Sequence, residues 1–206
     1  GLSLLGGNVI YGMGEKPGNQ DVKKSVVGVE IGQVVTEFSG VDSFGKLHRL
    51  SDYLGKIVVL EWKNHLCPFV RKHYESSNMQ TLQKNYVDQG VIWLSVISSA
   101  KGKQGHVSAE ECNRIVKKEG SHASAVILDE DGQLGRLFKA KTTPHMFVID
   151  ANGVLAYKGA IDSIRSAAQR DIPLAENFVS AALDALLGSK AVEVTTTKAY
   201  GCGVKY

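Results

Sequence analysis

Runs of hydrophobic residues alternate with segments of helical spacing along most of the chain, and together they predict an α/β protein. Near-continuous apolar stretches at residues 57–62 and 91–97 indicate strands that are covered on both faces. Between them, apolar positions three to four residues apart predict a helix over residues 70–89 that stops at Gly90. Strands that alternate with helices in this way form a partly parallel sheet between helical layers.

The second half of the chain predicts a capped helix followed by an antiparallel hairpin. Ser108 and Glu111 have the spacing of a capping box, which predicts a helix running to about Glu119. An Asn-Gly turn joins the predicted strands at residues 146–149 and 154–157. This hairpin makes the predicted central sheet mixed rather than purely parallel.

The flanking segments complete the predicted domain organisation. Residues 1–24 are rich in glycine and polar residues and are interpreted as a poorly ordered arm. A hairpin over residues 38–50 belongs to a single domain at residues 25–188, whose last helix is predicted to open at Pro173. Residues 189–206 form a C-terminal tail that we expect to be polar and exposed.

Composition excludes several classes of function. The 206 residues are 43% hydrophobic and 22% charged, which is ordinary for a globular protein. The net charge of +3 comes from dispersed basic residues, so a nucleic-acid partner is not expected. No apolar run is long enough to span a membrane, and three cysteines are too few for a disulfide scaffold.

Cys67 is the residue most indicative of chemistry. It follows the apolar run at residues 57–60 and precedes a helical pattern, which places it where a strand ends and a helix begins. The free N–H groups and partial positive charge of a helix N-terminus favour a thiolate, and Lys63, Arg71 and Lys72 add positive charge nearby. The alternative is that Cys67 is simply a small buried hydrophobic residue.

Four segments together carry a resemblance to a known family and cover most of residues 30–187. They are residues 50–56 (LSDYLGK), the Cys67 segment 61–74 (EWKNHLCPFVRKHY), residues 143–150 (TPHMFVID) and residues 157–162 (YKGAID). In this order they resemble the thioredoxin fold, in its redoxin and peroxiredoxin-like (AhpC/TSA) branch. The resemblance implies a thioredoxin-like fold with a central mixed sheet flanked by helices, an N-terminal extension and a C-terminal tail.

The same resemblance implies a substrate site opposite Cys67 and shows where this chain departs from its relatives. Pro144 would be a cis-proline facing Cys67, and the backbone of Thr143 before it would pair with bound substrate. Thioredoxin-type enzymes carry a second cysteine where this chain has Val70. The peroxidase pattern Pro-x-x-x-Thr-x-x-Cys is broken in either register. If Cys67 is its cysteine, Asn64 and Leu60 stand at the threonine and proline positions. In the thioredoxin register, Cys67 stands at the threonine position and Val70 replaces the cysteine. The chain therefore resembles a subgroup that keeps only the first thioredoxin cysteine.

Two other cysteines are candidates for resolving an intermediate formed on Cys67. Members of the subgroup resemble this chain in ending with Gly-Cys-x-(Val/Ile)-Lys, here residues 201–205. Cys202 in that tail is the first choice, reaching Cys67 either by folding back or by crossing to a partner subunit in a homodimer. Cys112 lies beside Glu110 and Glu111, which raise a thiol pKa, so we expect it to be structural and only the second choice.

Three polar residues beside the expected site complete the candidates. Asn64 is placed to donate a hydrogen bond to a thiolate, and His65 and His145 to tune it or transfer a proton. Solvated loop histidines are the plainer interpretation of both. Thiolate and imidazole also suit copper or zinc, but the spacing matches no recognised metal motif, so neither metal nor another cofactor is predicted.

We therefore predict a thiol-dependent oxidoreductase with Cys67 as nucleophile and Cys202 or an external thiol as resolving group. The substrate is a protein or small-molecule disulfide, thiol or peroxide, contacted by Asn64, His65, Thr143 and Pro144. The alternative is a non-enzymatic binding module that holds a protein or metal through Cys67. Relatives of the subgroup are often exported, and the first residues suit a cleaved leader or a tag remnant, which favours a periplasmic or secreted location over the cytoplasm.

Overall fold

The computed structural model describes residues 29–206 of the chain. The predicted arm at residues 1–24 lies outside the described residues, as do the first four residues of the predicted domain. Within the described part, no helix is long and apolar enough to cross a membrane.

A five-stranded mixed sheet forms the centre of the fold, with strand order β5-β4-β3-β7-β8. The middle strand β3 (Val58–Trp62) runs parallel to β4 (Ile92–Ile97), which runs parallel to β5 (Ala125–Leu128). On its other side β3 pairs antiparallel with β7 (His145–Ile149), and β7 pairs antiparallel with β8 (Leu155–Gly159). The sheet is therefore mixed, as the hairpin in the sequence predicted.

Helices cover the sheet, and hydrophobic clusters form on both of its faces. The helices are α1 (Pro68–Glu75), α2 (Asn78–Val87), α3 (Ala109–Glu119), α4 (Gln133–Leu137) and α5 (Phe178–Leu187). Alternate residues of β3 serve the two faces, since side chains of a strand point to opposite sides in turn. Trp62 packs on the rings of Phe138 and Phe147 on one face, at 5.4 and 5.2 Å between centroids. Val59 lies in the cluster formed with α1, α2 and α5 on the other face.

Two small sheets stand apart from the central one. The predicted N-terminal hairpin consists of β1 (Ser39–Val41) and β2 (Leu47–Arg49), followed by a 3₁₀ turn. The second small sheet pairs β6 (Thr142–Thr143) with β9 (Cys202–Gly203), two segments from distant parts of the chain. This second pairing brings the C-terminal tail onto the domain.

The helix predicted over residues 70–89 is wrong in detail, because the structure divides it into α1 and α2. Ser77 adopts a left-handed φ of 61°, which interrupts the helical ladder between them. The Ser76 hydroxyl donates to the Lys72 carbonyl at 2.7 Å, a local bond that competes with helix continuation. The periodicity of apolar residues continues across the break, so it does not reveal the interruption.

The predicted start of the last helix at Pro173 is also wrong. Pro173 lies inside a 3₁₀ segment, and α5 begins only at Phe178. The Asn177 side chain accepts a hydrogen bond from the Ser180 N–H at 2.9 Å and so caps α5. Proline is common in the first turn of a helix, but here it lies in the 3₁₀ segment that precedes α5.

The backbone of the tail is docked along the domain, although nine of its eighteen residues are exposed, as the sequence predicted for the tail. It adds to the free edge of β8, where the Lys158 N–H donates to the Thr195 carbonyl and the Thr197 N–H donates to the Lys158 carbonyl, at 3.0 and 3.1 Å. Gly159 permits this approach, since a Cβ there would lie 2.7 Å from the Thr197 carbonyl oxygen. Tyr200 is only 4% exposed. A predominantly polar composition therefore did not prevent docking, because backbone hydrogen bonds such as these form whatever the side chains are.

The predicted cap of α3 is present on its serine side and offers a stability test. The Ser108 hydroxyl accepts a hydrogen bond from the Glu111 N–H at 3.1 Å. Ser108→Ala removes this acceptor, and we expect the free energy of unfolding to fall by about 1 kcal/mol. Ser108→Asn, which retains a capping oxygen, should preserve stability to within roughly 0.5 kcal/mol. Urea unfolding measures both, and an Ala variant as stable as the Asn variant would contradict the capping role.

Candidate functional site

Cys67 caps the N-terminus of α1 with its backbone and is itself fully buried. Its carbonyl accepts hydrogen bonds from the N–H groups of Val70 and Arg71 at 3.0 and 2.9 Å. Pro68 occupies the first helical position, where the missing N–H costs nothing and the fixed φ suits a helix. The predicted strand-to-helix location of the thiol is therefore present.

The peptide bond between Thr143 and Pro144 is cis, as the family resemblance implied. It stands just before β7, the neighbour of the strand that leads towards Cys67. The Thr143 carbonyl points at the thiol, with 3.1 Å between its oxygen and the Cys67 Sγ. Thr143, Pro144 and Cys67 therefore meet at one edge of the sheet.

The C-terminal tail of the same chain closes this site. Strand β9 runs antiparallel to β6, with Cys202 opposite Thr143 and Gly203 opposite Thr142. This register leaves the Sγ atoms of Cys67 and Cys202 2.6 Å apart, although 135 residues separate them in sequence. Cys67 is fully buried and Cys202 is partly exposed, so the tail thiol is the outer member of the pair.

Gly201 is required for the tail to approach the cis-proline so closely. Its φ is 135°, and a Cβ at this position would lie 2.0 Å from the Thr143 carbonyl oxygen. A backbone atom cannot move aside as a flexible side chain can, so no other residue fits without displacing the tail. A Cβ at Gly203, two residues later, would meet no atom within 4 Å. The two glycines of the terminal motif therefore have different roles.

Tyr200 anchors the tail to a buried ion pair behind the thiols. Its hydroxyl donates to Asp162 Oδ1, and its ring meets the ring of Phe69 edge to face at 5.8 Å. Asp162 also accepts from Lys72 Nζ at 3.1 Å and from the Ile164 N–H at 3.2 Å. Both charged residues are buried, with 4% of Asp162 and 1% of Lys72 exposed.

This anchor links tail docking to the solvation of buried charge. A buried ion pair is stable only when further hydrogen bonds satisfy its remaining polar atoms, and Tyr200 supplies one of them from the tail. His73, next to the pair, has its pKa lowered to about 4 by burial, against the opposing effect of Asp162. It is therefore neutral at neutral pH. Tyr200 and Asp162 were not predicted as site residues, because nothing local in the sequence relates them.

The pKa values of the two thiols are shifted in opposite directions. Burial alone would raise the pKa of Cys67, but hydrogen bonds from Cys202, the Thr143 side chain and the Val70 N–H outweigh it and lower the pKa. Burial and the neighbouring Cys67 raise the pKa of Cys202 to about 11. The arrangement favours a Cys67 thiolate that accepts a hydrogen bond from the Cys202 thiol.

The other predicted site residues lie nearby but do not contact the Cys67 sulfur. The Asn64 side chain donates to the Gln104 carbonyl at 3.2 Å and accepts from the Leu66 N–H at 2.9 Å, so it shapes the loop before Cys67. His65 is partly buried, and burial lowers its pKa. His145 is buried in β7, where its Nδ1 accepts from the Lys141 N–H at 3.2 Å.

The third cysteine belongs to another part of the fold. Cys112 is 1% exposed and packs in a separate hydrophobic cluster between α3 and the β4–β5 edge of the sheet. Burial raises its pKa, which disfavours a reactive thiolate. Among the described residues, no cluster of three or more His, Cys, Asp or Glu side chains is arranged to hold a metal ion.

Comparisons with known proteins agree with this geometry. The sequence profile of the AhpC/TSA family matches residues 31–158. An uncharacterized conserved protein from Geobacillus kaustophilus superimposes with a TM-score of 0.73 at 22% identity, covering 86% of this chain and 93% of its own. A hypothetical protein from Sinorhizobium meliloti gives a TM-score of 0.72 at 23% identity, covering 86% and 95%.

A third similar structure carries a functional description of its own. The thioredoxin domain of a thiol-disulfide oxidoreductase from Bacteroides vulgatus superimposes with a TM-score of 0.50 at 19% identity, covering 70% of this chain and 96% of that one. No curated protein matches the sequence. At these identities the structures establish the fold, and the predicted thioredoxin-like fold is confirmed.

The opposite pKa shifts predict a two-step titration of the reduced thiol pair. In a Cys112→Ser background, thiolate ultraviolet absorbance should rise first below pH 9.0, as Cys67 ionises, and again near pH 11, as Cys202 ionises. Cys67→Ser should abolish the first step and move the second to lower pH, because it removes the charge that opposes Cys202 ionisation. A single transition near pH 9.0 in the unsubstituted pair would contradict the arrangement.

Proposed function

The chain belongs to the AhpC/TSA family, and on that premise we propose that it catalyses thiol–disulfide exchange with Cys67 and Cys202 as its redox pair. The observation that carries the proposal is the 2.6 Å approach of the two sulfurs beside the cis-proline. The lowered pKa of Cys67 and the raised pKa of Cys202 support different roles for them. Cys67 is the nucleophile, and Cys202 is the resolving thiol. It replaces the second cysteine of thioredoxin-type enzymes, whose position is occupied by Val70 in this chain.

In the first half of the cycle, the Cys67 thiolate attacks one sulfur of a substrate disulfide. A Cys67–substrate mixed disulfide forms, and the other substrate sulfur leaves as a thiolate that takes up a proton. Cys202 then gives up its proton and attacks the Cys67 sulfur. The Cys67–Cys202 bond forms, the substrate's second sulfur leaves, and the substrate has gained two electrons and two protons.

The tail must move for the first step and return for the second. In the docked state the tail lies over Cys67, which has no exposed surface, so a substrate reaches it only when β9 leaves β6. The tail remains tethered to the domain, so its thiol returns at a high effective concentration. Substrate would then occupy the edge that β9 vacates, contacting Thr143 and Pro144, with Asn64 and His65 at its border.

Regeneration of the pair enters through Cys202. An external thiolate attacks the partly exposed Cys202 sulfur, and Cys67 leaves, since a thiol of lower pKa is the better leaving group. A second external thiol then releases Cys202 from its mixed disulfide and restores both thiols. Run in reverse, the same steps oxidise a dithiol substrate, with direction set by the relative reduction potentials.

Peroxide is a less favoured oxidant than a disulfide in this proposal. The Pro-x-x-x-Thr-x-x-Cys pattern is broken at Asn64, whose amide donates to the Gln104 carbonyl and is therefore not free to assist at the sulfur.

The proposed cysteine pair also bears on location. A pair of cysteines that closes into a disulfide persists best in an oxidising compartment. We accordingly propose a periplasmic or secreted protein rather than a cytoplasmic one.

Cysteine variants test the assignment of roles. Cys67→Ser should abolish turnover of a peptide disulfide with a thiol reductant, because the nucleophile is lost. Cys202→Ser should still attack once and then accumulate a mixed disulfide on Cys67, detectable by mass spectrometry. Cys112→Ser should turn over like the unsubstituted protein and serves as control. Turnover by the unsubstituted protein that is as low as that of Cys67→Ser would favour a binding module, and faster turnover of peroxide than of disulfide would contradict the reaction class.

The two glycines of the tail test whether docking matters. Gly201→Ala places a Cβ against the Thr143 carbonyl, while Gly203→Ala adds the same group in open space. A backbone at φ 135° is essentially restricted to glycine and costs about 1–3 kcal/mol for another residue, and the added Cβ also clashes with a backbone oxygen. Closure of the Cys67–Cys202 disulfide should therefore slow at least roughly tenfold in the first variant. Gly203→Ala should close at the original rate. Equal closure rates, measured by quenched alkylation, would show that the β6–β9 pairing does not guide resolution.

A further inference from the structure

A cavity of about 360 Å³ lies between the C-terminal tail and the strands β6, β7 and β8. Its walls come from the segment after α4, from β6, from β7 and β8, and from the tail. The lining residues are Phe138, Lys139, Lys141, Thr142, His145, Phe147, Lys158, Thr196, Thr197, Lys198 and Ala199. Neither cysteine of the redox pair is among them, so this cavity is distinct from the proposed reaction site.

Four lysines surround the cavity, and no carboxylate lines it. Glu30 is the one acidic side chain in the described part of the chain that reaches these lysines. It pairs with Lys139 at 3.3 Å and with Lys158 at 2.9 Å. Lys141 and Lys198 have no ion-pair partner among residues 29–206. The cavity therefore has an excess of positive charge that the described residues do not neutralise.

His145 contributes a donor to the same cavity. It is 8% exposed, and its Nδ1 accepts the Lys141 N–H at 3.2 Å. Burial, together with the charges of Lys141 and Lys158, lowers its pKa to about 4, so the ring is neutral at neutral pH. With Nδ1 acting as acceptor, the single ring proton is assigned to Nε2. This N–H has no acceptor within the described part of the protein, although donors of largely buried side chains normally have one.

A layer of aromatic rings lies beneath the cavity and supports the His145 ring. Phe147 is fully buried, and the His145 ring lies on it at 4.5 Å between centroids. Phe138 meets Phe147 edge to face at 5.2 Å. Lysine side chains add apolar stems beneath their charged heads. A ligand here would meet cations and one N–H donor at its acidic end, and the His145 ring, the lysine stems and Ala199 along the rest.

We propose that this cavity is a binding site for a small organic anion, a phosphate or carboxylate carried on a flat apolar body. Lys141 and Lys198 bind the anionic oxygens, His145 Nε2–H donates to one of them, and the His145 ring with the lysine stems contacts the body of the ligand. Lys198 and Thr196 belong to the tail, so the ligand touches the domain and the tail together. The site does not depend on the redox reaction proposed above.

Phenyl phosphate, benzoate, inorganic phosphate and phenol are suitable probes for the full chain. Calorimetry should show saturable binding of phenyl phosphate or benzoate, and the His145 imidazole resonances should shift with the same midpoint. Lys141→Gln and Lys198→Gln should each weaken binding about threefold to fivefold, as expected for partly solvated charges. Binding should also weaken as salt is added, because the attraction is screened.

Lys117→Gln provides the matched control. It removes the same charge from α3, which joins β4 to β5 at the opposite edge of the sheet from β8. Its affinity for phenyl phosphate should equal that of the unsubstituted chain. Equal weakening by Lys117→Gln, unmoved His145 resonances or the absence of saturable binding would overturn the proposal. If inorganic phosphate or phenol bound as tightly as phenyl phosphate, the proposal that the ligand combines an anionic group with an apolar body would be wrong. All variants are compared by circular dichroism, since the three lysines are exposed and their loss should leave the fold intact.

Discussion

The antiparallel pairing of Thr142–Thr143 with Cys202–Gly203 is the interaction on which the rest of the site depends. A ladder of two residues is too short to be stable alone. It is supported by tail hydrogen bonds to β8, by the buried anchor of Tyr200 and by the absence of a side chain at Gly201. Loss of the hydrogen bonds or of Tyr200, or a side chain added at Gly201, would weaken the β6–β9 pairing that places the two sulfurs together.

The same docking shifts the pKa of each thiol. Covering Cys67 removes it from water, which would normally disfavour a thiolate. The hydrogen bonds that arrive with the tail and the helix N-terminus reverse this effect, so the contacts that bury Cys67 also lower its pKa. The buried Lys72–Asp162 pair adds a cost to undocking, because Asp162 then loses the Tyr200 hydroxyl. The tail is therefore held by charge solvation as well as by backbone pairing.

Much of the fold was predictable because it depends on patterns that are local in sequence. The apolar runs of β3 and β4, the Asn-Gly hairpin before β8 and the Ser108 cap of α3 all appear where they were predicted. The errors occurred where a short-range competitor was decisive: the left-handed Ser77 that divides α1 from α2, and the Asn177 cap that starts α5 after Pro173. Hydrophobic periodicity is insensitive to such breaks.

The sequence by itself determined that Cys67 lies at a strand-to-helix junction and, through family resemblance, that Pro144 is cis. It left open whether Cys202 meets Cys67, because a contact across 135 residues has no local signature. Only the tertiary structure decided that the tail folds back within its own chain. It also decided that His145 serves a separate cavity and that Asp162 anchors Tyr200. Each of these depends on backbone approach and burial, which arise when distant segments pack and are not encoded in any one stretch of residues.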